Sequence, residues 1–111
     1  MKNRYDLEIL FSPQSVAVIG ASNQRNKWGY RIINNLLIAG YSGSIFPINP
    51  KEKTICGLTA YTGLAEIPTP VDFAVICVPV AHVPAVFEDC IRKGVRAAFL
   101  ITAGFGEDSD D

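Results

Sequence analysis

The run Ser15-Val-Ala-Val-Ile-Gly20, the polar stretch from Ala21 to Lys27 and the segment from Gly29 to Ala39 follow one another directly, and their order decides the fold. The first is short, apolar and rich in β-branched residues, and it ends in glycine. It reads as a parallel strand buried on both faces. The polar stretch has no periodicity and reads as a loop. In the third segment Ile32, Ile33, Leu36 and Leu37 recur at the spacing of one helical face, and Gly40 stands where a helix C-cap glycine belongs.

Working outward, Leu7, Leu10 and Phe11 are expected to form one helical turn stopped by Pro13. Downstream, Ser44 to Asn49 reads as a second strand. Pro47 inside it predicts an edge strand or a bulge, and Pro50 stops it. Lys51 to Tyr61 is expected to be loop with one short strand around Leu58 to Tyr61, and Leu64 to Ile67 a brief helical turn. Asp72-Phe-Ala-Val-Ile-Cys-Val78 carries the clearest strand pattern in the chain, ended by Pro79. Val83, Val86, Phe87, Cys90 and Ile91 mark a second amphipathic helix closed by Lys93 and Gly94, and Ala97 to Ile101 reads as a final buried strand. Short apolar strands alternating with helices predict an α/β fold, a Rossmann-like doubly wound parallel sheet with right-handed crossovers. The sheet is truncated after the last strand. The chain is therefore expected to be one domain, residues 1–111, and a fragment of a longer multidomain protein.

Composition narrows the function. With 111 residues and 49% hydrophobic content the chain can bury a core without disulfides or metals. No apolar run reaches membrane-spanning length and no signal core follows the charged N-terminus, so no membrane partner is expected. Cys56, Cys77 and Cys90 are odd in number and lack a Cys-x-x-Cys spacing. They read as reduced thiols of a cytoplasmic protein. The net charge of −1 conceals an asymmetry. Arg25, Lys27, Arg31, Lys51 and Lys53 face only Glu52 between Leu10 and Ala65, whereas Glu107, Asp108, Asp110 and Asp111 crowd the tail. The cations cluster around two loops and not along one helix face, which suits a small phosphorylated ligand and excludes a nucleic-acid groove.

Ligands of open parallel sheets bind at the carboxyl ends of the strands, at the topological switch point. Three loops meet that condition. In the first, Gly20 to Gly29, backbone amides and a helix N-terminus form an anion site, with Gly20, Ala21, Ser22 and Asn23 at its start and Arg25 and Lys27 adding charge. The second is Asn49-Pro50-Lys51, where a dinucleotide fold meets the adenosine ribose. The third is Val78-Pro79-Val80, the opposite wall. Ser22 replaces the second glycine of a Gly-x-Gly-x-x-Gly fingerprint, and no acidic residue at the end of strand two awaits a ribose 2′-hydroxyl. Both features speak against NAD. A lysine there favours an extra ribose phosphate, which NADP and coenzyme A both supply.

Several segments together resemble a known family. Phe11-Ser-Pro-Gln-Ser-Val-Ala-Val-Ile-Gly-Ala-Ser22, Gly29, Asn34-Asn-Leu-Leu37, Ile48-Asn-Pro-Lys51, Val71-Asp-Phe-Ala-Val-Ile-Cys-Val-Pro79 and Ile101-Thr-Ala-Gly-Phe-Gly-Glu107 are similar, in order, to the start of ADP-forming acyl-CoA synthetases. That family includes acetate–CoA ligase and is related to the succinyl-CoA synthetase α subunit. The resemblance implies a coenzyme A-binding domain whose Gly20 to Gly29 loop holds the nucleotide. It implies that Lys51, before Lys53, meets a phosphate, that Val78 and Pro79 pack by the adenine, and that Ile101, Thr102 and Ala103 lie along the pantetheine arm. Ala103 stands where succinyl-CoA synthetases carry a glutamate. The phosphorylated histidine of the ligases belongs to the following domain and the ATP-grasp part lies beyond it. ATP or ADP would therefore act only through absent domains, and this chain alone would not complete a catalytic cycle or supply a catalytic residue. Expected partners are coenzyme A or an acyl-CoA such as acetyl-CoA, the remaining domains or β subunit of the parent, and a second copy in a homo-oligomer. The same domain opens some bacterial protein lysine acetyltransferases, so a regulatory domain of such an enzyme and an NADP-binding module stay open as alternatives.

Single residues carry less. His82, the one histidine, reads as a surface or capping residue at a loop-to-helix junction. Trp28 reads as packing the first helix onto its loop. Cys77 and Cys90 read as core, and Arg92, Lys93 and Arg96 as solvated surface that complements a helix dipole.

Overall fold

The computed structural model describes residues 13–101. The turn expected around Leu7, Leu10 and Phe11 lies outside them, as do Thr102 and Ala103. The elements are β1 (Ser15–Ile19), α1 (Trp28–Ile38), β2 (Ser44–Ile48), β3 (Thr54–Ile55), β4 (Leu58–Thr59), a 3-10 turn Leu64–Glu66, β5 (Phe73–Ile76), a 3-10 turn Val80–His82, α2 (Val83–Lys93) and β6 (Ala97–Leu100). β2, β1, β5 and β6 lie side by side in that order, all parallel, and β3 and β4 form a separate antiparallel hairpin. This is the Rossmann-like α/β sheet expected from the alternation of strands and helices.

All five residues of β1 are buried, because the strand is central and covered on both faces. Its side chains alternate between two cores. Val16 and Val18 join Ile33 of α1, Val75 of β5 and Ile55 of β3 on one face. Ala17 and Ile19 join Ala74 and Ile76 of β5, Cys90 of α2, and Leu64, Ile67 and Val71 on the other. The two helices therefore stand on opposite faces, as doubly wound connections require. Gly40, at φ 77°, and Gly94, at φ 81°, end α1 and α2 in the left-handed conformation.

Pro47 fits because β2 is an edge strand. The Pro47 carbonyl accepts the Tyr61 N–H at 2.9 Å, so the backbone groups of this residue point away from β1. The missing proline N–H falls on that outer side and removes nothing from the β1–β2 ladder. The last strand departs from expectation. Phe99 is 59% exposed and Leu100 41%, so β6 is not a buried strand. It forms the other edge of the sheet, and Phe99 finds its ring partner in Phe73 at 6.4 Å. Apolar sequence predicts burial only where another element arrives to cover it.

At the carboxyl end of β1 the packing is backbone on backbone. Gly20 has φ +91°, and a Cβ there would lie 2.1 Å from the Cys77 carbonyl oxygen at the end of β5. A Cβ on Gly29 would lie 2.0 Å from the Gly20 carbonyl oxygen. The first turn of α1 thus rests directly on the end of β1. Gly29→Ala is expected to destabilise the protein by about 1–3 kcal/mol, because helix and strand must separate to admit the methyl group. Urea unfolding measures this, and an unchanged midpoint would show that α1 can back away without cost.

Candidate functional site

The order β2-β1-β5-β6 brings the carboxyl ends of all four strands to one edge. The Gly20 and Ala21 amides both donate to the Ile48 carbonyl, at 3.2 and 3.1 Å. The Cys77 amide donates to Ile19 at 2.7 Å, and the Ile101 amide to Ile76 at 2.9 Å. Gly20, Asn49, Val78 and Ile101 thus begin neighbouring loops at the same end of the sheet. The switch point falls between β1 and β5, since α1 leads from β1 toward one edge and α2 leads from β5 toward the other. The fold therefore assembles at one place the three loops singled out in the sequence.

The first loop is more internally bonded than its sequence suggests. With the Gly20 and Ala21 amides engaged by Ile48, these two residues shape the loop, and the donors expected for an anion can come only from Ser22 onward. The Ser22 hydroxyl accepts the Gln24 N–H at 2.9 Å and tightens the turn. Lys27 immediately precedes α1 in an extended conformation. Arg25 is exposed. Trp28 opens the helix and carries the Arg31 guanidinium over its ring at 5.1 Å, which agrees with a packing role.

Two asparagines bind the loops together. Asn49 Nδ2 donates to the Ala21 carbonyl at 2.9 Å, while its Oδ1 accepts the amides of Lys51 at 2.7 Å and Glu52 at 3.0 Å. The carboxamide is needed in full, because an aspartate could accept but not donate. The residue standing where a dinucleotide fold keeps its ribose-binding acid is thus committed to the protein's own backbone. Asn23 makes the second tie. Its Oδ1 accepts the Cys56 N–H at 3.0 Å and its Nδ2 donates to the Thr54 carbonyl at 3.0 Å. Asn23 was expected to offer donors to a ligand; its carboxamide instead fastens the β3–β4 hairpin.

Of that hairpin the sequence showed only the short strand around Leu58; β3 and the turn were missed. Its turn is Cys56-Gly57, with φ 53° and 82°, a pair of left-handed residues as two-residue hairpins of this class need. The usual signal is Asn-Gly or Asp-Gly, and Cys-Gly does not carry it. Ile55 anchors the hairpin in the core shared with α1. Partial burial raises the Cys56 thiol pKa above its ordinary value, so this cysteine is not an activated nucleophile. Burial, and after it Asp89, does the same for Cys90.

Pro50, Lys51 and Lys53 are exposed, and neither lysine side chain nor that of Arg25 has a partner among the described residues. Val78 is half-buried and Pro79 exposed on the opposite wall, and Ile101 lies at the end of β6. His82 is exposed and makes no capping bond to α2. Among the described residues no cluster of His, Cys, Asp or Glu could hold a metal ion. An apolar hollow of about 300 Å³ opens elsewhere, toward the amino ends of the strands, beside Val16, Leu36, Tyr41 and Phe73. Of its two polar side chains, half-buried Tyr41 donates its hydroxyl to the Pro13 carbonyl and Ser42 is exposed, so it offers few converging polar groups of the kind a nucleotide needs.

Comparison with known proteins agrees with this geometry. Residues 14–110 match the family described as the CoA binding domain. The chain is 50% identical over 105 residues to the α subunit of ADP-forming acetate–CoA ligase I of Pyrococcus furiosus, covering 91% of this chain and 23% of that protein. It is 46% identical over 103 residues to the ADP-forming acetate–CoA ligase of Methanocaldococcus jannaschii, covering 93% and 14%. Among solved structures, a dinucleotide-forming acetyl-coenzyme A synthetase 1 of Ca. Korarchaeum cryptofilum, in complex with phosphate and ADP, superposes with a TM-score of 0.84 at 44% identity, over 89% of this chain and 21% of that one. The chain thus spans less than a quarter of these relatives.

Asn49→Asp is expected to lower stability by about 1–3 kcal/mol, because it removes the donor to Ala21 and sets a carboxylate against that carbonyl. Denaturant unfolding at neutral pH measures the loss, and lowering the pH to protonate the new carboxyl should recover part of it.

Proposed function

Because the chain belongs to the CoA-binding domain family, we propose that it holds the nucleotide end of coenzyme A as one unit of an ADP-forming acyl-CoA ligase. The observation that carries this reading is the convergence of three strand-end loops at the switch point, with Lys51, Lys53 and Arg25 on those loops and without a side-chain partner among the described residues. A phosphorylated adenosine matches that arrangement. Its phosphates meet donors and cations from Ser22 to Gly29, its ribose phosphate meets Lys51 with Lys53 beside it, and its adenine lies by Val78 and Pro79. Ile101, at the end of β6, stands where the pantetheine arm would pass; Thr102 and Ala103, expected beside it, lie outside the described residues. Close packing at Gly20 and Gly29 supports the fit, since side chains there would push the loop off β5 and part α1 from β1.

When bound, coenzyme A supplies the thiol that a ligase of this kind acylates. This chain's residues bind and orient it, and nucleotide binding energy then serves to place the thiol for attack. The attacking thiol is the ligand's own, and the phosphorylated histidine and the ATP-binding machinery belong to other domains or a partner subunit. Ligase activity, the acid used and the assembly are properties of that larger protein. Cys56, Cys77 and Cys90 form no disulfide with one another, in keeping with a reducing, cytoplasmic location. Among the described residues no helix is long and apolar enough to cross a membrane.

Calorimetric titration tests the reading. The chain should bind coenzyme A in preference to NADP. Lys51→Ala should weaken coenzyme A about ten-fold, as for the loss of one charge-assisted contact, and change dephospho-coenzyme A much less. Preference for NADP overturns the proposal, and equal losses for both coenzyme A forms remove Lys51 from the ribose phosphate.

A further inference from the structure

Lys51 and Lys53 lie on an arch of chain, residues 49–54, that is tied at both ends to the loop between β1 and α1. At one end Asn49 Nδ2 donates to the Ala21 carbonyl. At the other, Asn23 donates to the Thr54 carbonyl and accepts the Cys56 amide. The partners of Asn23 lie 31 and 33 residues further along the sequence. Its carboxamide reads the hairpin's edge as a neighbouring strand would, taking a carbonyl and an amide two residues apart. The hairpin needs such an anchor, because two residues per strand cannot hold a ladder alone. Ile55 fixes its inner side in the core, and Asn23 fixes its outer edge, from which Lys53 and Lys51 lead back to Asn49.

We infer that Asn23 is a positioning residue for recognition of the ribose phosphate: it holds the cationic arch in place without touching the ligand. The inference rests on the coenzyme A reading above and goes further, because it assigns discrimination between coenzyme A and its dephospho form to a side chain bonded only to protein among the described residues. Lysine side chains are long and flexible, so their effect on a phosphate depends on where the backbone beneath them is held. Releasing one end of the arch leaves the charges present but no longer held at one place.

The test compares coenzyme A and dephospho-coenzyme A by titration calorimetry against the whole chain. Asn23→Ala should weaken coenzyme A about ten-fold and leave dephospho-coenzyme A within about two-fold. Asn23→Ala combined with Lys51→Ala should be no worse than Lys51→Ala alone, as for two residues acting through one contact. Amide hydrogen exchange on Asn23→Ala provides a readout independent of ligand: the Cys56 amide should lose protection while amides of β1 and β5 keep theirs. Equal weakening of both ligands would place Asn23 in direct contact with the shared nucleotide and overturn the inference. So would retained discrimination or a Cys56 amide that stays protected. If the unsubstituted chain does not distinguish the two ligands, the coenzyme A reading fails first and takes this inference with it.

Discussion

Three pieces of backbone meet at the carboxyl end of β1 with no room for a side chain between them. Gly20 approaches the Cys77 carbonyl of β5, and Gly29 sits on the Gly20 carbonyl. This contact lets the chain leave β1 past the end of β5 without a clash and brings the first turn of α1 down onto the sheet. The site described above is a consequence of it. Were α1 farther away, the loop from Ser22 onward would not stand beside the end of β2, and the ties made by Asn23 and Asn49 would not reach.

The site is built in two tiers. The inner tier is regular sheet, where the Ile48 carbonyl accepts two amides from the β1 loop. The outer tier is side chain to backbone, with two carboxamides joining three loops. Carboxamides suit this work because each offers a donor and an acceptor without a charge, and so leaves the local field to Arg25, Lys51 and Lys53 and to Glu52 between the lysines, whose carboxylate accepts from Asn23 Nδ2 at 3.5 Å. In the reading proposed above, the cations supply the attraction and the asparagines set where it acts.

Most of the fold was legible because long elements carry a period. Ile32, Ile33 and Leu36 place α1, and the apolar runs beginning at Ser15 and at Asp72 place the two central strands. Pro47 marked an edge strand correctly, since only there does its missing N–H fall outside the ladder. The β3–β4 hairpin was not legible beyond the short strand around Leu58, because two-residue strands have no period and Cys56-Gly57 is an uncommon turn pair. Nor was the exposure of β6, since Phe99 and Leu100 look like core in sequence and only the arrangement of neighbours decides their burial. In the site, the loop positions followed from strand ends, but the tasks of Asn23 and Asn49 did not. Their partners are distant in the chain or are backbone groups, which no motif encodes.

Backbone amide NMR of the isotope-labelled chain titrated with coenzyme A tests the central claim most directly. Resonances of Ser22 to Gly29, of Lys51 to Cys56 and of Val78 should shift and saturate together, while those of Tyr41, Ser44 and Val95, at the amino ends of the strands, should stay in place. Shifts gathered instead around Tyr41 and Phe73, beside the apolar hollow, would contradict the account.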